Sequence, residues 1–511
     1  MSPVSASANA TAQQARSARL PLFPATAAAC RFIANHAIAA LIVSAVVLIP
    51  CFWHRHIQAT DLGSHVYNAW LAQLIHQDAA PGLHIVPQHS NVLFDLILSF
   101  FFRLAGPVVA ERVAVSIAVL VFFWGGFALC SAAAENPAWT VVPLLAMACY
   151  GFMFNMGFFN LYLSVGLSLF FLAILWRGRR FDFLLLAPLF ALIWTAHLLG
   201  TAGALLLGGF LLLMRFLPLR GQLGVTALAF AGYFAARFYV LHHFYILQPE
   251  SDVYWMLGPD QLVTYNASYL WVALAVLIAA VVVIALALRR DGLLVLRRRS
   301  AWLQIYALMA IAVYCAPGGI LHPTLQRMGY IPDRASLYSV ALLCALLASL
   351  RPAKWQGIML AVIGLAFFAL LYRDTGTLNA TEAKLDTVVS GLHPGDRVIA
   401  NLYHPPHWRI ADEHLIDRAC IDHCYSFANY EASSRQFRIK ADPGNPIVTA
   451  STTDSRDMEL GQYIVRPEDL PITEIFSCGP ALSDICVHPL QAREPNGRVY
   501  FETLQRMGLR R

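Results

Sequence analysis

"QATDLGSHVYNAW", residues 58–70, sets an acid, Asp61, a few positions beyond the first membrane-length apolar run of the chain, Ala37 to Trp53. An ionisable group at the mouth of such a run is either a helix cap or part of a site facing the water beyond the membrane. Which reading holds depends on how the other segments of this 511-residue chain are arranged around it.

The chain is 58% hydrophobic and 13% charged, about half the charged fraction of a soluble domain. Runs long enough to cross a hydrocarbon core, about 20 apolar residues as helix, recur along it, and alternating barrel strands are absent. The expected fold class is therefore a polytopic α-helical membrane protein. Apolar segments at 37–53, 108–132, 139–155, 158–176, 183–197, 200–216, 222–243, 264–288, 301–318, 335–350 and 355–372 predict eleven spans, some short enough to be tilted or re-entrant. With the start of the chain inside, the inner loops hold "RGRR" 177–180, Arg215, Arg220, "RR" 289–290, "RRR" 297–299, Arg351 and Lys354, as the positive-inside rule requires. Residues 1–36 then form a cytoplasmic tail. The run after them reads as an uncleaved signal anchor, because "PCFWHRH" 50–56 stands where a cleavage site would need small residues.

Charge divides the chain in two. From Asp374 onward there are 14 Lys and Arg against 19 Asp and Glu, whereas the first 373 residues hold 22 against 11. The basic excess of the first part reports topology, and no pattern points to a nucleic-acid partner. After an odd number of spans, residues 373–511 are expected outside, as a small α/β domain in the periplasm of a bacterial inner-membrane protein. "PGD" 394–396 is a turn leading into the apolar strand "RVIANL". In that oxidising setting the close pairs Cys420/Cys424 and Cys478/Cys486 predict two local disulfides, with metal binding the alternative although neither pair has CxxC spacing. The other six cysteines read as small apolar residues, and His404 and His407 in "YHPPHW" as loop residues ahead of a metal site.

The first outer loop, 54–107, is too polar for one helix and too apolar for an ordinary connection. Trp70, Leu71, Leu74 and Ile75 recur at helical spacing with His65, Asn68, Ala72 and His76 opposite, which predicts a helix lying in the interface. A second segment, "NVLFDLILSFFFRLAG" 91–106, carries Asp95, Ser99 and Arg103 on one stripe, either a packed polar seam or a face toward a cleft. Most acids of the membrane part fall at outer ends by this topology, so any chemistry faces outward.

An inside start, an acid directly after the first helix, two interfacial helices, a helical array and an outer C-terminal domain together resemble the GT-C superfamily of membrane glycosyltransferases. That class includes protein mannosyltransferases, lipid A aminoarabinose transferases and rhizobial lipopolysaccharide transferases. The resemblance covers the architecture of residues 37–372, with "TDLGSHVYNAWLAQLI" and "LAGPVVAERVAV" as its local signature. Members often carry two adjacent acids here, where this chain has Asp61-Leu62. The resemblance implies inverting transfer of a sugar from a polyprenyl-phosphate donor to an extracytoplasmic acceptor such as an envelope glycan, lipid A or a protein. Asp61 is then the base that takes the acceptor proton, with His65 and Tyr67 at positions where other polar site residues often sit.

Arg327 and Arg334 in "LQRMGYIPDRASLY" lie on the outer side, where basic residues are disfavoured. They either pair with an acid such as Asp333 or bind the donor phosphate. Glu250 and Asp252, in the aromatic-rich loop 242–262, are further substrate-proximal candidates. No nucleotide or dinucleotide fingerprint is present, no cofactor is called for, and nothing indicates a divalent cation or another metal. Two rivals remain: an outward-facing polysaccharide polymerase or ligase, expected to use Arg and His in a late loop, and a transporter or scaffold, expected to show repeated halves and mid-membrane acids.

Overall fold

The structure, a computed structural model, describes residues 37–179, 182–247, 257–321, 328–405, 408–410, 414–434, 436–479 and 482–507. Its apolar helices make it a membrane protein. In chain order these begin with α1 (Ala37–Cys51), α2 (Leu62–His76), α3 (Leu93–Ala134), α4 (Trp139–Asn155), α5 (Phe159–Arg177) and α6 (Asp182–Ala196). Then follow α7 (Leu198–Phe216), α8 (Leu219–His243), α9 (Tyr269–Asp291), α10 (Ser300–Tyr314), α11 (Ile331–Ser349) and α12 (Lys354–Val389). Among the described residues seven of them, α3, α5, α7, α8, α9, α11 and α12, are long and apolar enough to span a bilayer. The other four expected spans coincide with the shorter apolar helices α1, α4, α6 and α10. A 15-residue helix covers only about 22 Å of a core about 30 Å thick, which is why length separates the two groups.

Two helices differ from expectation for reasons visible in their length. At 42 residues α3 would extend about 63 Å if straight. It is broken at Gly106, whose φ of 77° and ψ of 178° leave the helical region, with Pro107 directly after. The segment expected as a separate interfacial helix is thus the first limb of α3. Likewise α12, with 36 residues, continues past Tyr372, so the domain boundary expected at 372/373 falls inside a helix and not in a linker.

Beyond α12 the chain forms a four-stranded sheet from β4 (Arg397–Asn401), β5 (Tyr425–Ser426), β7 (Thr473–Cys478) and β8 (Asp484–Pro489), in the order β5-β4-β7-β8. β4 is parallel to β5 and β7, and β8 is antiparallel to β7. Short helices α13 (Leu415–Ala419), α14 (Tyr430–Ser433), α15 (Thr452–Glu459) and α16 (Arg498–Arg506) lie between and after the strands. Both expected disulfides are present, Cys420–Cys424 after α13 and Cys478–Cys486 across β7 and β8. Outside this sheet, β2 (Tyr245–Leu247) pairs with β3 (Gly319–Leu321).

This C-terminal segment is packed onto the first loop. β1 (Leu83–Ile85) pairs antiparallel with β6 (Ile439–Ala441), and one hydrophobic core continues from the helix array to Ile416 in α13 and Ile475 in β7. α2 is the contact between them. Residues Leu62 to Ala72 are buried on every face, so α2 is not a half-exposed interfacial helix; its polar side chains meet polar partners inside the protein. The deepest tie is Arg418. Its guanidinium donates to Glu382 of α12 at 2.6 Å, to Glu111 of α3 at 2.8 Å and to the Ile57 carbonyl at 3.1 Å.

Candidate active site

Where α2, the start of α5, the start of α11 and the C-terminal segment meet, they enclose a cavity of about 710 Å3. Asp61 and His65 reach it from α2 and the turn before it, Phe158 and Asn160 from α5, and Arg334 from α11. His414, Tyr430 and the α15 residues Arg456 and Glu459 complete the lining.

Asp61 sits at the N-cap position of α2, yet its backbone is already helical, at φ −74° and ψ −8°, and its side chain makes no cap hydrogen bond. The capping alternative is thereby removed. Its main chain is fixed from below: Thr60 N donates to Asn155 O at 2.8 Å and Asp61 N to Met156 O at 3.3 Å. The turn that makes this possible contains Gly157, at φ 80°, where a Cβ would stand 2.6 Å from Asp61 N. The carboxylate is left at the cavity wall, 17% exposed, with Oδ1 3.7 Å from Nε2 of His414.

His414 is buried and bridges acids. Its Nδ1 lies 3.3 Å from Asp417, and its ring packs on Tyr430 at 4.9 Å. Burial alone would disfavour the proton, but Asp417, then Asp61 and Glu459, raise the imidazole from 6.5 to about 10, so it is a cation at neutral pH. Tyr430, buried and ringed by Asp61, Glu431, Glu459 and Asp417, is held in the phenol form, its pKa pushed well up.

Arg334 is the second cation. Its guanidinium lies 4.5 Å over the Phe158 ring. Among the described residues no carboxylate stands within ion-pair distance of it, and its buried Nε has no hydrogen-bond partner. Of the acids whose charge reaches it, Asp61 acts more strongly than Asp333. The sequence alternative of an Arg334–Asp333 pair is not formed. Donors left over at the end of a cavity are what an incoming anion uses.

A third group lies behind Asp61. His65 Nδ1 donates to Asp95 Oδ1 at 2.8 Å and lies 3.4 Å from Glu431. Asn160 donates to the other Asp95 oxygen at 2.8 Å, and Ser64 to Glu431 at 3.1 Å. Burial opposes the imidazolium, but Asp95, then Glu431 and Asp61, lift His65 to about 9. Glu431 is pushed up, by burial first and then by Asp95 and Asp61 against the pull of His65.

Of the residues singled out from sequence, Asp61, His65 and Arg334 line one cavity. Tyr67 does not. It is wholly buried beneath the C-terminal segment, its hydroxyl accepting from Ser426 N at 3.0 Å and its ring against Trp70 at 5.3 Å, so the place the resemblance suggested for it is not at the cavity. Arg327, Glu250 and Asp252 lie outside the described residues. On the stripe of α3, Asp95 and Ser99 are packed inward, Ser99 against Arg438, and Arg103 is exposed. His414 and Tyr430 were not foreseen. The only local signal for the first was a His and an Asp at i, i+3 in "HLIDRAC", next to a disulfide. Among the described residues no group of three or more His, Cys, Asp or Glu is disposed to hold a metal ion. No protein-family model matches the chain, and no curated protein sequence matches it.

Proposed function

We propose that the protein is an inverting glycosyltransferase of GT-C type, moving a sugar from a polyprenyl-phosphate donor to an extracytoplasmic acceptor. In this reading eleven helices cross a bacterial inner membrane, with the first residues cytoplasmic and the disulfide-bonded α/β segment after α12 in the periplasm. The observation that carries it is the Asp61 carboxylate, which serves no cap and lines a cavity that also holds the Arg334 guanidinium, a group with no carboxylate in ion-pair distance among the described residues. The acceptor oxygen attacks the anomeric carbon as the bond from that carbon to the phosphate oxygen breaks. The acceptor proton passes to Asp61, and the electron pair of the broken bond leaves on polyprenyl phosphate, whose charge Arg334 balances. An outer-face enzyme has no nucleotide sugar at hand, which is the reason a lipid-borne donor fits a chain with so many apolar helices.

The test is a comparison of envelope glycolipids and glycans in cells with the gene, without it, and with an Asp61→Asn copy. A sugar missing from both altered strains supports the reading and names the product. Unchanged glycans in the strain lacking the gene would overturn it.

A further inference from the structure

We infer that His414 and Asp417, contributed by the segment beyond the last long helix, are a positioning pair for Asp61, so that the C-terminal segment completes the site. This rests on reading Asp61 as the acid of the cavity. Three observations carry it.

First, the three side chains form a line. Asp417 stands 3.3 Å from Nδ1 of His414, and Nε2 on the far side of the ring stands 3.7 Å from Asp61. The charged imidazole thus has one carboxylate at each ring nitrogen, Asp417 at Nδ1 and Asp61 at Nε2.

Second, the rear of the line is anchored. Asp417 accepts from Ser426 Oγ and, at 3.1 Å, from Asn429 Nδ2. All three are buried, and α13, which carries Asp417, runs directly into the Cys420–Cys424 disulfide. A ring held so firmly orients its neighbour at little entropic cost.

Third, α2 is shaped to admit His414. A Cβ at Gly63, two residues after Asp61, would stand 2.2 Å from the His414 carbonyl oxygen. Only a glycine there lets the C-terminal backbone come this close, and the Asp61-Leu62-Gly63 order therefore encodes the approach as well as the acid.

The consequence is electrostatic. A cation 3.7 Å from Asp61 keeps the carboxylate ionised, ready to accept a proton, and stops it from turning onto its own helix terminus. Among the described residues, the other charged or titratable groups facing the line are Arg334 of α11, Tyr430 and Glu431 of α14, Glu459 of α15 and His65 of α2.

The experiment needs no substrate. A protonated carboxyl group gives its proton to dicyclohexylcarbodiimide and adds to the reagent's central carbon, so the pH at which Asp61 is half-modified in the full-length detergent-solubilised protein, read by peptide mass mapping, follows its protonation. His414→Gln is expected to raise that pH by about one unit, the lower end of what an adjacent opposite charge does. Asp417→Asn keeps the imidazole and should raise it by less. Gly63→Ala, which pushes the His414 backbone away, should raise it too, while the Asp95 profile stays in place because its partner is His65. A superimposable Asp61 profile in folded His414→Gln overturns the inference; if that variant does not fold, Asp417→Asn decides on the same criterion. Failure here and failure of the transferase reading are separable. A shifted profile in a protein whose Asp61→Asn form still transfers sugar sinks only the reaction, and an unshifted profile with transfer lost in Asp61→Asn sinks only the positioning pair.

Discussion

Two arginines sit at the junction of the helix array and the C-terminal segment, Arg418 buried and Arg334 half-buried, and they are treated in opposite ways. Arg418 uses Nε and both terminal nitrogens on Glu382, Glu111 and the Ile57 carbonyl. Arg334 has a phenyl ring below it, no acid within ion-pair distance among the described residues, and a cavity in front. Complete satisfaction is how a buried charge is kept when its task is to hold elements together. Incomplete satisfaction costs stability and persists where something else is to be bound. The acids differ in place: Glu111 and Glu382 are closed by Arg418, whereas Asp61 lines the cavity beside His414.

If that contrast is sound, the two arginines fail differently. Arg418→Ala strands two buried carboxylates and should cost about 3–5 kcal/mol, seen as a large fall in Tm or loss of folded protein; its double variant with Glu382→Gln should recover part of that loss. A small change in Tm would mean the junction does not depend on this node. Arg334→Ala should leave Tm nearly unchanged and weaken donor use by about 1.5–3 kcal/mol, the scale of a charge-assisted hydrogen bond, with Lys restoring only part. A Tm loss with unchanged donor dependence would make Arg334 structural, like Arg418.

The smallest effect concerns pH. His65 and His414 are raised from 6.5 to about 9 and about 10 by their acids, so each contributes stability that is fully present below the unfolded value and disappears as pH rises through the native one. Glu431, pushed upward, acts in the same direction, since its ionisation in the fold is disfavoured. Tm should therefore decline as pH rises from about 6.5 to about 10, and decline less in His65→Gln. A flat profile would show that these imidazoles titrate alike in the native and the unfolded protein.

What could be seen in the sequence followed the range of the interaction. Helices are set by local hydropathy, so each expected span falls on an apolar helix, and the two disulfides join cysteines only 4 and 8 positions apart. Asp61 and His65 were legible because they share α2 and the turn before it. His414 was not: it reaches Asp61 across some 350 positions of chain, and no local pattern encodes a contact of that kind. Tyr67 was named only because the resemblance puts polar site residues near its position, and α2, buried from Leu62 to Ala72 against α3 and α13, turns that side chain into the protein interior.

The central claim is that Asp61 serves chemistry and not the fold, and the turnover of purified Asp61→Asn measures it most directly. Asparagine keeps the shape and loses the basic oxygen. Release of sugar from a polyprenyl-phosphate donor should fall by about 100-fold or more while Tm stays within about 2 °C of the unchanged protein. Near-normal release at the same Tm would contradict the account.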